Sequence, residues 1–182
     1  APMEEILAIA KKYDLYVIED TAQAIGADYT FSDGTKKKVG TIGTIGCTSF
    51  FPSKNLGCFG DGGAIFTNDD ALAEKMKMVA NHGMKVRYHH DLLGVNSRLD
   101  SIQAAILNVK LKHLEEYQKA RYESAQIYTN GLKDIECIET PVEMSYSSHV
   151  YHQYTLKITD GTRDELKKYL EDWNIPAMIY YP

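Results

Sequence analysis

The chain has 182 residues, 44% hydrophobic and 25% charged, an ordinary globular composition that excludes disorder as the main state. With 20 Lys and Arg against 25 Asp and Glu, the net charge of -5 excludes a general polyanion-binding surface, so nucleic acid is not an expected partner. No apolar run approaches the roughly 18 residues that a bilayer requires, so no membrane association is expected either.

Residues 2–12 read as a helix: Pro2 suits the first helical position, Glu4 and Glu5 suit the positive N-terminal end, and Lys11 and Lys12 suit the other. Met3, Ile6, Leu7 and Ala10 keep the spacing of a buried stripe. Leu15 to Ile18 is a short apolar run ended by Glu19 and Asp20, the pattern of a buried strand with acids at its carboxyl end. Helix then buried strand suggests a parallel α/β layer. Residues 32–40 read as a surface loop or hairpin. Seven of the 13 glycines fall between Gly40 and Gly63, which marks special backbone demands there.

Cys47 to Phe51 and Gly63 to Thr67 read as strands, joined through a turn at Pro52–Gly57. Asn68, Asp69 and Asp70 cap a helix running to about Asn81, with Leu72, Met76 and Val79 as its apolar face and Gly83 just past its end. Residues 85–98 are irregular. Asp100 opens one long helix to about Asn130–Gly131, which would span roughly 45 Å and suits a connector between domains. Beyond it, residues 149–158 alternate as a strand, and Thr162 caps a helix from Arg163 to about Trp173. The expected division is therefore 1–130, a large domain ending in the connecting helix, and 131–182, the start of a smaller one.

Standard nucleotide and hydrolase signatures are absent: residues 57–63 do not match GxGxxG, Lys54 lacks P-loop spacing, and there is no GxSxG. Cys47, Cys58 and Cys137 lack metal-ligand spacing and read as reduced thiols of a cytoplasmic protein. His89–His90 and His149-x-x-His152 are the only histidine pairs, without HExxH, and read as surface or packing residues; no metal is expected. Two elements stand out. One is the acid pair Glu19–Asp20 at the end of a strand. The other is Lys54 on a glycine-flanked turn between strands, with Ser49 five residues before it. A carboxylate, a lysine, a hydroxyl and glycine-exposed N–H groups suit pyridoxal phosphate (PLP), which needs an amine for a Schiff base, an acid for its ring nitrogen and donors for its phosphate.

The segments EDTAQA at 19–24, TSFFPSKNLGCFGDGGAI at 48–65, NHG at 81–83, GVNSRLDSIQAAIL at 94–107 and HVYHQY at 149–154, with Tyr181–Pro182, resemble the DegT/DnrJ/EryC1/StrS family of PLP-dependent sugar aminotransferases. The resemblance implies an α/β, aspartate aminotransferase-like fold (PLP fold type I) with a mostly parallel sheet and the beginning of a small α+β domain. It implies Lys54 as the Schiff-base lysine and proton shuttle, Asp20 as the partner of the pyridine nitrogen, and Gln23 as a donor to the phenolic oxygen. Ser49 would donate to the phosphate, and Asn96 would reach the phosphate of a partner subunit in a homodimer with a shared active site. Ser97 stands where the family often has Tyr, and Arg98 reads as a structural ion-pair former. The implied reaction moves an amino group, from glutamate, to a keto carbon of a nucleotide-linked sugar. Lys36 to Lys38 and Arg87 are candidates for its diphosphate, with solvated loop charge as the plainer reading. Alternatives are a non-catalytic or regulatory module of the same fold and a PLP-dependent sugar dehydratase, the latter marked by His in place of the lysine. Family members run to roughly twice this length. The sequence is therefore expected to be an interior fragment that binds PLP poorly and transaminates little alone.

Overall fold

A computed structural model describes residues 1–181; Pro182, part of the quoted resemblance, lies outside the described residues. Helix α1 (Met3–Tyr13) carries Glu4 and Glu5 in its first turn and Lys11 and Lys12 in its last, and buries Met3 and Ala10. Pro2 stands one place before the first helical residue, and Asp14 ends the helix in the left-handed conformation with φ 53°. The chain then enters β1 (Ile18–Asp20). A hairpin follows, β2 (Asp28–Thr30) antiparallel to β3 (Lys36–Lys38). Its tip is closed by Asp33, whose Oδ1 accepts from the Thr35 N–H at 2.8 Å, and by Gly34 at φ +84°. Lys38 pairs with Asp28 across the hairpin, Lys37 lies over the Phe31 ring, and all three lysines are exposed.

Strand β4 (Ile45–Ser49) pairs in parallel with β1, placing Asp20 opposite Cys47. Strand β5 (Gly63–Phe66) pairs antiparallel with β4, placing Gly63 opposite Ser49. The sheet order is β1-β4-β5. The expected mostly parallel sheet is thus corrected: among the described residues it holds one parallel and one antiparallel pairing. The connection through Lys54, residues 50–62, holds no helix, the usual crossover of a parallel return, and turns back on itself instead.

Helix α2 (Asp70–Ala80) is capped by Asp69, whose Oδ1 accepts from the Leu72 N–H at 2.9 Å. Residues 85–98 are less irregular than expected, since β6 (Met84–Val86) and β7 (His89–His90) form a short antiparallel pair and Asn81 bridges to Asn96. The single long helix is corrected to two: α3 (Ser101–Lys110) and α4 (Leu114–Leu132), separated by a 3₁₀ turn at Leu111–His113. The break follows Lys110, whose ammonium donates to the Gly57 carbonyl, and lies between Leu107 and Leu114, which enter the same core.

That core is Phe50, Leu56, Cys58, Leu107 and Leu114, with Ile25 and Ala64 against it. Cys58 is 0% exposed and its thiol faces the carbonyls of Phe50 and Gly60, both at 3.0 Å.

Of the expected strand over 149–158, only β9 (Lys157–Ile158) forms, pairing antiparallel with β8 (Ile138–Glu139). Three carbonyls of the remainder, those of residues 150–152, are taken by side chains instead. Asn55 Nδ2 donates to Val150 O at 2.9 Å, and Arg121 donates to the carbonyls of Tyr151 and His152 at 3.2 and 3.3 Å. Tyr151 is held at φ 42°. Helix α5 (Arg163–Asp172) follows without a side-chain cap, Thr162 bonding instead to Asp160. No helix among the described residues is long and apolar enough to cross a membrane.

Candidate active site

Side chains alternate faces along a strand, so the neighbouring acids of β1 do different things. Glu19, paired in register with Gly46, faces the buried side and is 8% exposed. Asp20, opposite Cys47, faces the other side and is exposed. Ser49 lies two residues beyond Cys47 on β4, so it shares that face with Asp20. Both stand at the carboxyl end of the parallel pair, where open α/β sheets bind ligands. Asp20 Oδ1 accepts from the Ala22 N–H at 3.0 Å, and Ser49 Oγ from the Phe51 N–H at 3.2 Å.

Lys54 follows on a turn closed by its own N–H to Phe51 O at 2.9 Å, with Cys58 N–H returning to Phe50 O at 2.8 Å. Asn55 and Leu56 beside it are buried. Gly57 is required here: a Cβ would lie 2.5 Å from Pro52 O and 2.8 Å from Phe51 O. The backbone that carries Lys54 is therefore fixed on both sides, while the half-buried side chain lines a cavity of about 650 Å³ with Lys110, Arg121 and His152. Gln23 lines a smaller cavity of about 210 Å³ with His149 and His152.

His152 thus borders both the Lys54 and the Gln23 cavities. Its Nδ1 is buried without a hydrogen-bond partner, as is Oδ1 of Asn55. Burial, with the charges of Lys54 and Arg121 adding to it, holds the His152 imidazole below its usual range. Sequence reasoning read this residue as packing. The signal that could have found it was its place in the HVYHQY segment, which carries the resemblance.

Asn96 is not brought to this group. It lines a separate cavity of about 1010 Å³ with Asp61, Thr48 and Arg98. Arg98 donates to Asn96 Oδ1 at 3.1 Å and to Asn81 Oδ1 at 3.4 Å, so it holds two amides and not the ion pair expected of it. Arg87 lies over the Tyr88 ring. Among the described residues, no group of three or more His, Cys, Asp or Glu could hold a metal ion.

The model of the DegT/DnrJ/EryC1/StrS aminotransferase family matches residues 1–182. The chain belongs to that family. It is 50% identical over 184 residues to the "Pleiotropic regulatory protein" of Geobacillus stearothermophilus, covering 100% of this chain and 48% of the relative. It is 46% identical to the UDP-2-acetamido-2-deoxy-3-oxo-D-glucuronate aminotransferase of Pseudomonas aeruginosa, covering 100% of this chain and 48% of the relative. The crystal structure of S. venezuelae DesV in complex with a ketimine intermediate superimposes with a TM-score of 0.92 at 39% identity, covering 100% of this chain and 47% of that one. The chain spans about half the length of the curated relatives it matches. The cofactor the family implies, PLP, suits the donors present. Asp20 and Ser49 share one open sheet face, Lys54 follows on a rigid turn, and unpartnered Asn55 Oδ1 and His152 Nδ1 lie among residues that line the Lys54 cavity.

Proposed function

We propose that this chain is the lysine-bearing part of a PLP-dependent enzyme that transfers an amino group, from glutamate, to a keto carbon of a nucleotide-linked sugar. The observation that carries the reading is Lys54 on its pinned turn, following the strand whose Ser49 shares a face with Asp20.

When bound, PLP supplies an electrophilic carbonyl and a ring that withdraws electron density from the reacting carbon. The chain's own residues do the rest. Lys54 Nζ would hold the cofactor covalently and, once the donor amine has displaced it, would take the proton from the amino-bearing carbon and return it; general acid–base help of this kind is typically worth about 10²–10⁴-fold. The Asp20 carboxylate favours the protonated ring nitrogen by direct charge attraction. Gln23 donates to the phenolic oxygen, and Ser49 Oγ donates to the phosphate. Asn96 serves the phosphate of a partner subunit, a role compatible with its lying in a cavity apart from Lys54. The complete site is that of a homodimer of the full-length protein, and the 182 residues alone transfer little.

A regulatory role stands as the alternative to be separated, since the 50% identical Geobacillus relative carries a regulatory name. Lys54 itself speaks against the dehydratase alternative, which has His there. The deciding experiment adds glutamate without sugar to the PLP-loaded full-length protein. Release of one equivalent of 2-oxoglutarate per subunit, absent in Lys54→Ala, supports the aminotransferase; cofactor binding without release supports the regulatory reading.

A further inference from the structure

We propose that Glu19 is a positioning residue: its buried carboxylate, held by the N–H groups of Gly40, Ile42 and Gly43, fixes where the Asp20 carboxylate stands. This rests on the reading of Asp20 as the partner of the cofactor ring.

Glu19 accepts from Gly40 N–H at 2.8 Å, Ile42 N–H at 2.7 Å and Gly43 N–H at 2.6 Å. Among the described residues no Lys, Arg or His pairs with it. A buried carboxylate without a cation is costly unless hydrogen bonds replace the lost water. Converging backbone N–H groups form such a concavity, and here the protein's own side chain fills it.

The glycine run GTIGTIG at 40–46 exists to bring those groups in. Gly40 sits at φ +86°. A Cβ at Gly43 would lie 2.8 Å from Val17 O, and one at Gly46 would fall onto the Gly40 carbonyl. Only a loop without these side chains lies flat against β1 and β4.

The same loop locks the other side of Asp20. A Cβ at Gly40 would meet Thr21 Oγ1 at 3.2 Å. Thr21 donates both its N–H, at 2.7 Å, and its hydroxyl, at 2.8 Å, to Cys47 O. Thr48 Oγ1 donates to Thr21 O at 3.1 Å. Among the described residues the Asp20 side chain makes only the local bond from the Ala22 N–H, so its position comes from its two fixed neighbours.

The test uses the full-length protein, with Glu19→Gln and Glu19→Asp. The first keeps the shape but turns an amide N–H₂ toward a backbone N–H. The second keeps the charge one methylene short. Asp69→Ala, which removes the cap of α2 away from β1 and the Lys54 turn, is the stability control. Without cofactor, amide exchange is read at Gly40, Ile42, Gly43 and Ala22. With PLP bound, the pH midpoint of the visible absorbance and kcat/KM are read.

Glu19→Gln is expected to speed exchange at Ala22 as well as in the loop, shift the midpoint, and lower kcat/KM about 10–10²-fold, the scale of a sub-ångström to 1 Å misplacement. Glu19→Asp should fall between it and the parent. Asp69→Ala should lower Tm and leave the midpoint unchanged. Unchanged Ala22 exchange in Glu19→Gln overturns the inference whether or not PLP binds, as does an equal midpoint shift in Asp69→Ala. A parent protein that forms no Lys54 adduct overturns the proposed function instead.

Discussion

Replacing Gly57 by alanine should damage both the fold and the lysine turn. The added Cβ would sit 2.5 Å from Pro52 O and 2.8 Å from both Phe51 O and Pro52 C, all of them backbone atoms. Reaching ordinary contact requires a movement of nearly an ångström, and no flexible side chain is available to absorb it. The Pro52–Gly57 turn must open, straining the Lys54 N–H bond to Phe51 O and the Cys58 N–H bond to Phe50 O. Overpacking of this kind costs about 1–3 kcal/mol. For a chain of this size each kcal/mol lowers Tm by about 2–4 °C, giving a loss of roughly 2–12 °C. Thermal unfolding followed by circular dichroism reads the fold, and the rate of reductive pyridoxylation at Lys54 reads the turn. Gly131→Ala is the matched control: nothing lies within 4 Å of its Cβ, and it sits inside α4. It should raise stability by about 0.5–1 kcal/mol. A Gly57→Ala protein with the parental Tm and labelling rate would refute the reasoning.

Leu114→Ala empties part of the Phe50–Leu56–Cys58–Leu107 core and should cost about 2–5 kcal/mol, measured by urea unfolding. Asp69→Ala removes the bond to Leu72 N–H and should cost about 1 kcal/mol, with Asp69→Ser restoring most of it. Burial holds both His149, against an opposing effect of Glu143, and His152 below the usual histidine range. Between the ordinary histidine value, about 6.5, and the depressed ones, the unfolded chain binds more protons than the folded chain. Stability is therefore full above that value and falls as pH drops below it. Tm measured from pH 7.5 to 5.5 should decline, and the His149→Gln, His152→Gln double variant should flatten the decline.

The lysine turn was legible because local chemistry dictates it: two β-like runs, a proline–glycine turn and glycines where backbones touch. The placement of Glu19 and Asp20 was only half legible. The acid pair marked a strand end, but which acid is buried depends on the register with Gly46 and Cys47, set by a strand far along the sequence. The break at Leu111–His113 has no proline or glycine to announce it, since its causes are Lys110 on Gly57 and two leucines sharing one core. The alternation over 149–158 failed as a strand signal at residues 150–152, where Asn55 and Arg121 from elsewhere in the chain take the carbonyls and Tyr151 sits at φ 42°. The apolar run before Glu19 was expected to be buried, yet Ile18 is 66% exposed, on the same open face as Asp20 by strand alternation.

The central claim is that Lys54 carries the cofactor. Its most direct test adds PLP to the full-length protein, reduces with borohydride, and locates the modified peptide by mass spectrometry. The account predicts a pyridoxyl adduct on Lys54 that disappears in Lys54→Ala. A folded, dimeric protein that yields no adduct there, or yields it on another lysine, would contradict it.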